Sequence, residues 1–186
     1  YDNDGDLDIH VTNGHVIDNV KLYTPALSYE QKDLLYENTG GKFKDVSALA
    51  GGALQNTRVG RGLAVADFDN DGFLDVAISS LGRRGVLLRN RGVSKNNWIE
   101  IRAEGTTSNR FGLGATVRLQ APGGLQVREI NNAASYQSAN DIRLHVGLGA
   151  AKTIPQIEIL WPSGIRQTLK DVAVNQILTI KEAGER

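Results

Sequence analysis

Residues Asp67–Ile78 read DFDNDGFLDVAI and decide the fold, because they join a carboxylate-rich turn directly to a β-branched apolar run. The nine residues from Asp67 to Asp75 hold four aspartates and one glycine. A glycine permits a sharp turn, and side chains at alternate positions of a tight loop can converge on one point. The apolar run that follows is typical of a strand. The sequence therefore predicts a loop between two strands that gathers negative charge.

A second copy of this segment lies at the start of the chain. DNDGDLDIHV at Asp2–Val11 matches DNDGFLDVAI at Asp69–Ile78, with an offset of 67 residues. Each copy is followed by a strand-like run that ends in asparagine, LLYEN at Leu34–Asn38 and VLLRN at Val86–Asn90. Repeats built from short strands indicate stacked or radial sheets that bury each other's faces. Because the sequence begins inside the first copy and contains no methionine, we expect it to be part of a longer protein.

The overall composition excludes several classes of function. The 21 basic and 21 acidic residues cancel, so the chain carries no net field that would attract nucleic acid or anionic lipid. A hydrophobic content of 40% without a long apolar stretch indicates a soluble globular protein with no membrane span. The absence of cysteine excludes disulfides, thiolate zinc sites and a cysteine nucleophile.

The pattern of apolar residues predicts an all-β fold. These residues occur in short β-branched and aromatic runs separated by glycine, asparagine and aspartate. Helical turns are expected only at Tyr29–Asp33 and Val46–Ala50. The predicted strands are Leu7–Val11, Leu34–Glu37, Phe43–Val46, Leu63–Ala66, Leu74–Ser79, Val86–Arg89, Trp98–Ala103, Ala115–Gln120, Val127–Ile130, Arg143–Val146, Gln156–Trp161, Arg166–Leu169 and Ile177–Lys181.

The repeat pattern stops after Asn90, where RGVSKN at Arg91–Asn96 is typical of a polar connector. The strands predicted beyond it are longer and are joined by basic turns. We therefore predict a repeat-containing domain over residues 1–92 and a second domain over residues 97–183.

The loop from Asp67 to Asp75 predicts a calcium site. Its carboxylates occupy loop positions 1, 3, 5 and 9, and glycine occupies position 6. Hard oxygen ligands in this number favour calcium over zinc, copper or magnesium. The alternative is an aspartate-rich turn whose carboxylates cap backbone amides without a metal. In this loop the expected ligands are the side chains of Asp67, Asp69, Asp71 and Asp75 and the backbone carbonyl of Phe73. The first loop lacks position 1. Its expected ligands are the side chains of Asp2, Asp4 and Asp8 and the backbone carbonyl of Asp6.

These segments resemble a known family. GRGLAVADFDNDGFLDVAI, LLYENTGGKFKDVS and GVLLRN are similar to the FG-GAP or VCBS-type repeat of calcium-binding β-propellers. The later segments SNRFGLGATV, VREI, SYQSAND, LHVGLG and IEILWPSGIRQTL resemble the ASPIC/UnbV domain. The resemblance implies a partial β-propeller of about one and a half blades followed by a small β-sandwich-like domain, in a secreted protein of the cartilage-acidic-protein type whose aspartate-rich loops bind calcium.

We expect this architecture to serve a calcium-dependent structural and interaction function without catalysis. The expected location is extracellular, periplasmic or at the cell surface, where millimolar calcium fills sites of modest affinity. The expected partner is a protein or a glycan. The alternative is an accessory part of an exported or biosynthetic enzyme whose active site lies in other blades, because a fold does not fix a function.

Two polar segments of the second domain invite a chemical interpretation. Asn109 and Arg110 precede two glycines and suggest an anion site, but a glycine-shaped hairpin is preferred because a strand follows where a dinucleotide motif needs a helix. The hydroxyl groups of the segment SYQSAND and the imidazole of a nearby histidine suggest a serine nucleophile. Polar turns are preferred, because no Gly-x-Ser-x-Gly motif occurs. The residues concerned are Ser135, Tyr136, Ser138 and His145.

Three further sets of residues have a structural interpretation that we prefer to a functional one. A transition-metal site at His10, His15 and Asp18 is disfavoured, because their spacing crosses a strand end and a loop. Trp161 is expected to pack on the core. A solvated face is preferred to a basic sheet face that binds anionic glycans. The residues concerned are Arg102, Arg118, Arg128 and Arg143.

Overall fold

The chain is all-β, as the sequence predicts. The computed structural model describes residues 1–92, 94–121, 124–133 and 135–184, and in them it has thirteen strands and two short 3-10 helices, Val20–Leu22 and Gly52–Gln55. Each predicted strand overlaps an observed one. In chain order the strands are β1 Ile9–Val11, β2 Leu34–Thr39, β3 Lys42–Asp45, β4 Gly60–Ala66, β5 Asp75–Ser80, β6 Val86–Leu88, β7 Asn97–Glu104, β8 Thr116–Ala121, β9 Gly124–Glu129, β10 Leu144–Gly149, β11 Thr153–Leu160, β12 Arg166–Ala173 and β13 Ile177–Lys181.

The first half of the chain forms two three-stranded antiparallel sheets, ordered β1-β2-β3 and β4-β5-β6. Neighbouring strands are consecutive in sequence, and the registers place His10 opposite Leu35 and Ala64 opposite Ala77. Both sheets are open, and the described residues contain no closed propeller. The repeat seen in the sequence is therefore a structural repeat, in which β1 and β5 each follow an aspartate-rich loop.

A buried ion pair ties the two N-terminal sheets together. Arg58 and Asp33 are both almost fully buried and pair side chain to side chain. Thr12 donates its hydroxyl to the second Asp33 oxygen at 2.8 Å, and Arg58 donates to the carbonyl of Ala53 at 3.1 Å. The buried apolar cluster of this half is small. Its members are Leu35, Val46 and Leu54.

One of the two predicted helical turns is wrong. The segment Tyr29–Asp33 forms a bend at Tyr29 and Glu30 and is then extended, because Gln31 forms an antiparallel β-bridge with Arg58 through two backbone hydrogen bonds of 2.9 Å. The burial of Asp33 against Arg58 fixes this extended path. At Val46–Ala50 the backbone N–H of Ala50 donates to the carbonyl of Val46 at 3.0 Å, which is a single helical turn that does not extend into a helix.

The second half of the chain packs two sheets into a sandwich. One sheet has the order β10-β7-β13 and the other β12-β11-β8-β9. In the first sheet β7 pairs antiparallel with β10 and parallel with β13. Along β8 buried and exposed residues alternate, with Val117 and Leu119 buried and Arg118 exposed, as expected of a strand with one face on a core. The side chain of Trp161 lies in this core and donates to Gln167 at 3.2 Å.

This sandwich contains most of the buried apolar surface. Its core cluster draws on both sheets and includes Ile99, Ile101, Leu119, Ile157 and Ile159. The described residues include no helix long and apolar enough to cross a membrane. The two aspartate-rich loops lie where the N-terminal sheets meet the β7 and β10 side of the sandwich, and this junction positions the site described next.

Candidate metal centre

The second aspartate-rich loop connects β4 to β5. Asn70 and Gly72 have φ angles of 58° and 88°, so the backbone enters the left-handed region twice within three residues. Glycine and asparagine tolerate this region better than other residues. The chain therefore doubles back tightly and brings alternate residues to one side of the turn.

Three carboxylates converge in this loop. One oxygen from each of Asp67, Asp69 and Asp71 lies within 4.8 Å of the other two. Asp67 is 1% exposed, whereas Asp69 and Asp71 face solvent. Calcium–oxygen distances are about 2.3–2.6 Å, so two ligands on one ion lie up to about 5 Å apart. The donor type and the spacing of these three predicted ligands fit a hard divalent cation.

Backbone hydrogen bonds preorganise two of the three carboxylates, those of Asp67 and Asp71. Asp67 accepts the N–H of Asp71 at 3.0 Å and that of Gly72 at 2.8 Å, and Asp71 accepts the N–H of Phe73 at 3.0 Å. A carboxylate oxygen that accepts one hydrogen bond keeps lone-pair capacity for a metal. Burial raises the pKa of Asp67, and the hydrogen bond from Gly72 acts against this rise. A cation in the loop would stabilise the charged form that burial disfavours.

Arg89, which the sequence analysis missed, lies beside the two exposed carboxylates. Its guanidinium is 2.5 Å from an Asp69 oxygen and 3.6 Å from an Asp71 oxygen, and its side chain is 65% exposed. Arg89 directly follows β6 in the run VLLRN. It therefore supplies positive charge to the same oxygens that a metal ion would bind. The only signal for it in the sequence was its position next to Asn90.

The buried carboxylate of Asp75 lies outside the converging group. It accepts the backbone N–H of Phe68 at 3.2 Å and that of Asn90 at 2.7 Å. This is the capping role that the sequence analysis named as the alternative to metal binding. A ligand role for Asp75 stays a prediction, as does the one for the carbonyl of Phe73, whose ring packs against Gly92.

The first loop repeats the backbone conformation of the second. Asn3 and Gly5 have φ angles of 64° and 108°, matching Asn70 and Gly72. Asp8 accepts the backbone N–H of Asn38 at 2.9 Å, just as Asp75 accepts that of Asn90. The two repeats therefore share the turn and the cap as well as the sequence.

The carboxylates of the first loop are arranged differently. Asp2 accepts the N–H of Asp4 at 3.1 Å, whereas the equivalent N–H of Asp71 in the second loop binds Asp67. One bond is shared, since Asp4 accepts the N–H of Asp6 at 3.0 Å just as Asp71 accepts that of Phe73. Burial, followed by the nearby charge of Asp4, raises the pKa of Asp6, and one of its carboxyl oxygens is buried without a partner. Across the described ranges of the chain, only the second loop has three converging acids. Metal binding by Asp2, Asp4, Asp6 and Asp8 stays a prediction.

Each loop also presents its asparagine to the C-terminal sandwich, a role that the sequence analysis missed. His145 Nε2 lies 2.7 Å from Asn3 Oδ1, and Arg143 donates to Asn70 Oδ1 at 2.6 Å. The solvated face preferred from the sequence is wrong for Arg143, whose side chain is 18% exposed and is turned toward Asn70. Of the other arginines in that prediction, Arg102 lies 3.6 Å from Glu104 and Arg118 lies 3.8 Å from Glu158. The fourth, Arg128, donates to Gln126 at 3.0 Å.

Asn109 and Arg110 lie in a glycine-shaped turn. The amide of Asn109 donates to the carbonyl of Leu113 at 2.7 Å and accepts its N–H at 2.9 Å, which closes the turn. The guanidinium of Arg110 lies 5.7 Å from the centroid of the Phe111 ring. The side chain of Asn109 is therefore occupied by the turn itself, in agreement with the preferred structural interpretation.

The other polar segments have local partners. Ser138 donates its hydroxyl to the carbonyl of Tyr136 at 3.1 Å, and Ser135 forms a β-bridge with Ser138. The ring of His145 stacks on Trp98, with centroids 6.1 Å apart. His145 thus packs on its strand, as preferred from the sequence.

The residues His10, His15 and Asp18 do not form one of the converging groups found in the described part of the chain. His15 Nδ1 accepts the backbone N–H of Ile17 at 3.0 Å. Burial, and then the positive charge of Arg58, lowers the pKa of His10 to about 4. These observations agree with the structural role that was preferred to a transition-metal site for the two histidines.

Comparison with known proteins agrees with this architecture. Residues 1–78 match the FG-GAP-like repeat, and residues 105–186 match ASPIC and UnbV. Cartilage acidic protein 1 of Xenopus tropicalis is 30% identical over 127 residues, which cover 65% of this chain and 19% of the relative. Its Mus musculus counterpart is 29% identical over 136 residues, which cover 70% of this chain and 21% of the relative. The chain thus spans about a fifth of the length of the curated relatives it matches. The chain thus contains a stretch similar to the FG-GAP-like repeat followed by a stretch similar to ASPIC and UnbV, and it resembles cartilage acidic protein 1 over about two thirds of its length.

Proposed function

We propose that the chain is a calcium-binding, non-catalytic interaction module that works outside the cytoplasm. The observation that carries the proposal is the convergence of Asp67, Asp69 and Asp71 within 4.8 Å. Like charges at this spacing repel, and a divalent cation converts the repulsion into attraction. Oxygen-only ligands favour calcium, since transition metals prefer nitrogen or sulfur.

The role of the ion in this proposal is structural. The loop carries β4 into β5 and contacts the C-terminal sandwich, so an ion that stabilises the loop stabilises the junction between the two halves. An ion that binds only the folded state adds folding free energy, about 2.7 kcal/mol when its free concentration is 100 times Kd. Calcium therefore contributes to folding and supplies no chemistry.

The proposed location and partner rest on the relatives and on the chemistry of the site. The curated relatives are named for cartilage, a tissue rich in extracellular matrix. A loop with three carboxylates fits a site of modest affinity, which the millimolar calcium of extracellular fluid would fill. The partner we propose is a protein or a glycan of that environment. The engagement of Ser138 with the carbonyl of Tyr136 and of His145 with Asn3 supports a module without catalysis.

Calcium titration by isothermal calorimetry tests the proposal. The wild-type chain, freed of metal by EDTA and dialysed, is expected to bind calcium, and Asp69→Asn combined with Asp71→Asn is expected to weaken binding at least tenfold. The matched control is Asp18→Asn, which removes one exposed acid that lies outside both loops. Equal affinity of the wild type and the double variant would place the calcium elsewhere and overturn the assignment.

A further inference from the structure

The C-terminal sandwich contacts both aspartate-rich loops through two neighbouring basic residues. Arg143 lies just before β10 and His145 lies within it. Both meet the buried carboxylate of Glu100 on β7: Arg143 at 2.8 Å, and His145 Nδ1 at 3.6 Å. Glu100 is 1% exposed. The acid therefore holds the two basic side chains side by side at the junction.

Arg143 bonds to the second loop at two points. One guanidinium nitrogen donates to Asn70 Oδ1 at 2.6 Å, and the other donates to the backbone carbonyl of Asp67 at 2.9 Å. A further contact with Asp141 at 2.6 Å fixes the plane of the guanidinium. Arg143 thus bonds to the main chain of one converging acid and to the residue between the other two.

His145 bonds to the equivalent asparagine of the first loop. Asn3 donates its Nδ2 to the carbonyl of Gly72 at 2.8 Å, so its Oδ1 accepts the Nε2 proton of His145 at 2.7 Å. The carbonyl of Asn3 also accepts the N–H of Gly149 at 2.8 Å. Asn3 therefore joins the first loop, the second loop and the sandwich, and it is itself buried.

The fit at this junction is close in the backbone as well. A Cβ atom on Gly72 would lie 1.9 Å from Trp98 Nε1, and one on Gly147 would lie 2.7 Å from the Cα of Asn3. The backbone of Val65 bonds to the segment that precedes β10, donating its N–H to the side-chain Oδ1 of Asn140 at 3.0 Å and accepting the backbone N–H of Asp141 at 3.1 Å. The loop and the sandwich therefore pack closely at this junction.

We infer that Arg143 is a positioning residue for the cation site and that it couples metal binding in the second loop to docking of the C-terminal domain. This inference rests on the proposed calcium site. The loop conformation that collects Asp67 and Asp71 around an ion also places the Asp67 carbonyl and Asn70 for Arg143. Each event lowers the cost of ordering the loop for the other, and such coupling is reciprocal.

Calorimetry on the full chain tests the calcium side of the coupling. Asn70→Gly removes the Arg143 acceptor while glycine keeps the left-handed φ of 58°. We expect Asn70→Gly and Arg143→Gln each to weaken calcium binding by about fivefold, the lower end of typical coupling energies. The matched controls are Asp171→Gly, at an exposed left-handed position with φ of 53°, and Arg166→Gln, an exposed arginine paired with Glu158. Both controls should keep the wild-type Kd.

Hydrogen exchange on the same proteins tests the docking side. Calcium added to the wild type should slow exchange in β7 and β10, which lie outside the loop, and the slowing should be lost in Asn70→Gly. A purely stabilising role for Arg143 would lower the thermal midpoint without changing the calcium Kd of the folded chain, so the Kd separates the two roles. If Arg143→Gln fails to fold, the calcium Kd and the hydrogen exchange of Asn70→Gly alone test the coupling.

The outcomes separate the two proposals. Calcium binding with the same Kd in the wild type and in Asn70→Gly, together with unchanged exchange in β7 and β10, overturns the coupling and leaves the calcium site intact. A wild-type chain that binds no calcium overturns the calcium site and the coupling with it. Weaker binding in Asn70→Gly with loss of calcium-dependent protection supports both.

Discussion

The buried carboxylate of Asp75 accepts the backbone N–H of Asn90 at 2.7 Å, across the connection from β5 to the end of β6. The other oxygen of this carboxylate accepts the N–H of Phe68 at the start of the loop. Asp75 therefore stabilises the repeat whether or not a metal is bound. Asp8 and Asn38 form the equivalent bond in the first repeat, at 2.9 Å.

Asp75→Ala is expected to destabilise the chain equally in EDTA and in calcium. The loss leaves two partly buried N–H groups without their acceptor, and the cost is up to about 1–3 kcal/mol each. Asp69→Asn should instead match the wild type in EDTA to within about 1 kcal/mol, because its pair with Arg89 is exposed. Urea unfolding in both buffers measures the two effects. If Asp75→Ala lowered the free energy of unfolding in the calcium buffer but not in EDTA, Asp75 would act mainly as a calcium ligand.

Arg89→Gln is expected to tighten calcium binding. The guanidinium lies 2.5 Å from Asp69 and 3.6 Å from Asp71, so it competes for their oxygens and repels a cation placed between them. For an exposed charge the effect is about 0.5–1 kcal/mol, or roughly a two- to fivefold lower Kd. Calorimetry at low and high salt measures it, and the difference should shrink as salt screens the charge. Arg84→Gln, at an exposed position in the β5–β6 loop, serves as the control. Weaker binding in Arg89→Gln would mean that Arg89 organises the carboxylates.

Gly72→Ala is expected to disrupt the junction with Trp98. The new methyl group would lie 1.9 Å from the indole nitrogen, and the residue has a φ of 88° that alanine tolerates poorly. Gly82→Ala supplies the matched control, because Gly82 also has a positive φ, 69°, but no atom lies within 4 Å of the added Cβ. Overpacking costs about 1–3 kcal/mol beyond the backbone strain that both variants share. Chemical unfolding should show that excess, and equal losses would contradict the tight contact.

Glu182 is expected to make the C-terminal domain sensitive to acid. This residue follows β13, is 2% exposed, and accepts three backbone N–H groups at 2.7–2.8 Å. Burial alone would raise the pKa of Glu182, but hydrogen bonds from Ser163, Ser108 and Thr106 outweigh burial and lower the pKa from 4.5 to about 2.

The direction of the pH effect follows from this lowered pKa. The unfolded chain takes up the proton near pH 4.5 and the folded chain only near pH 2, so the stability from Glu182 is complete above pH 4.5 and is lost as the pH falls toward 2. Glu182→Gln should cost about 1–3 kcal/mol at pH 7, and this deficit relative to the wild type should shrink between pH 4.5 and 2. Thermal unfolding across that range measures the difference. A deficit that stays constant with pH would contradict the role of the charge.

Local sequence patterns predicted much of the fold and part of the site. Short β-branched and aromatic runs between glycine, asparagine and aspartate located each strand of the described residues, because such runs fit a strand and the intervening residues fit turns. The spacing in DFDNDG predicted that Asp67, Asp69 and Asp71 share a turn, because glycine and asparagine impose its shape. The helical turn predicted at Tyr29–Asp33 was wrong for a tertiary reason. The backbone of this segment is held by the β-bridge between Gln31 and Arg58, which lies 27 residues later in the chain.

The sequence by itself thus determined the all-β class, the repeat, and the cluster of carboxylates in the second loop, because each is set by residues close in the chain. Only the tertiary structure decided the partners of those residues. Arg143 and Asn70 are 73 residues apart, and His145 and Asn3 are 142 apart. The sequence around one residue of each pair does not indicate its partner, because both contacts form only when the sandwich packs on the repeats. The same packing turned Arg143 from an expected surface charge into a contact for the loop.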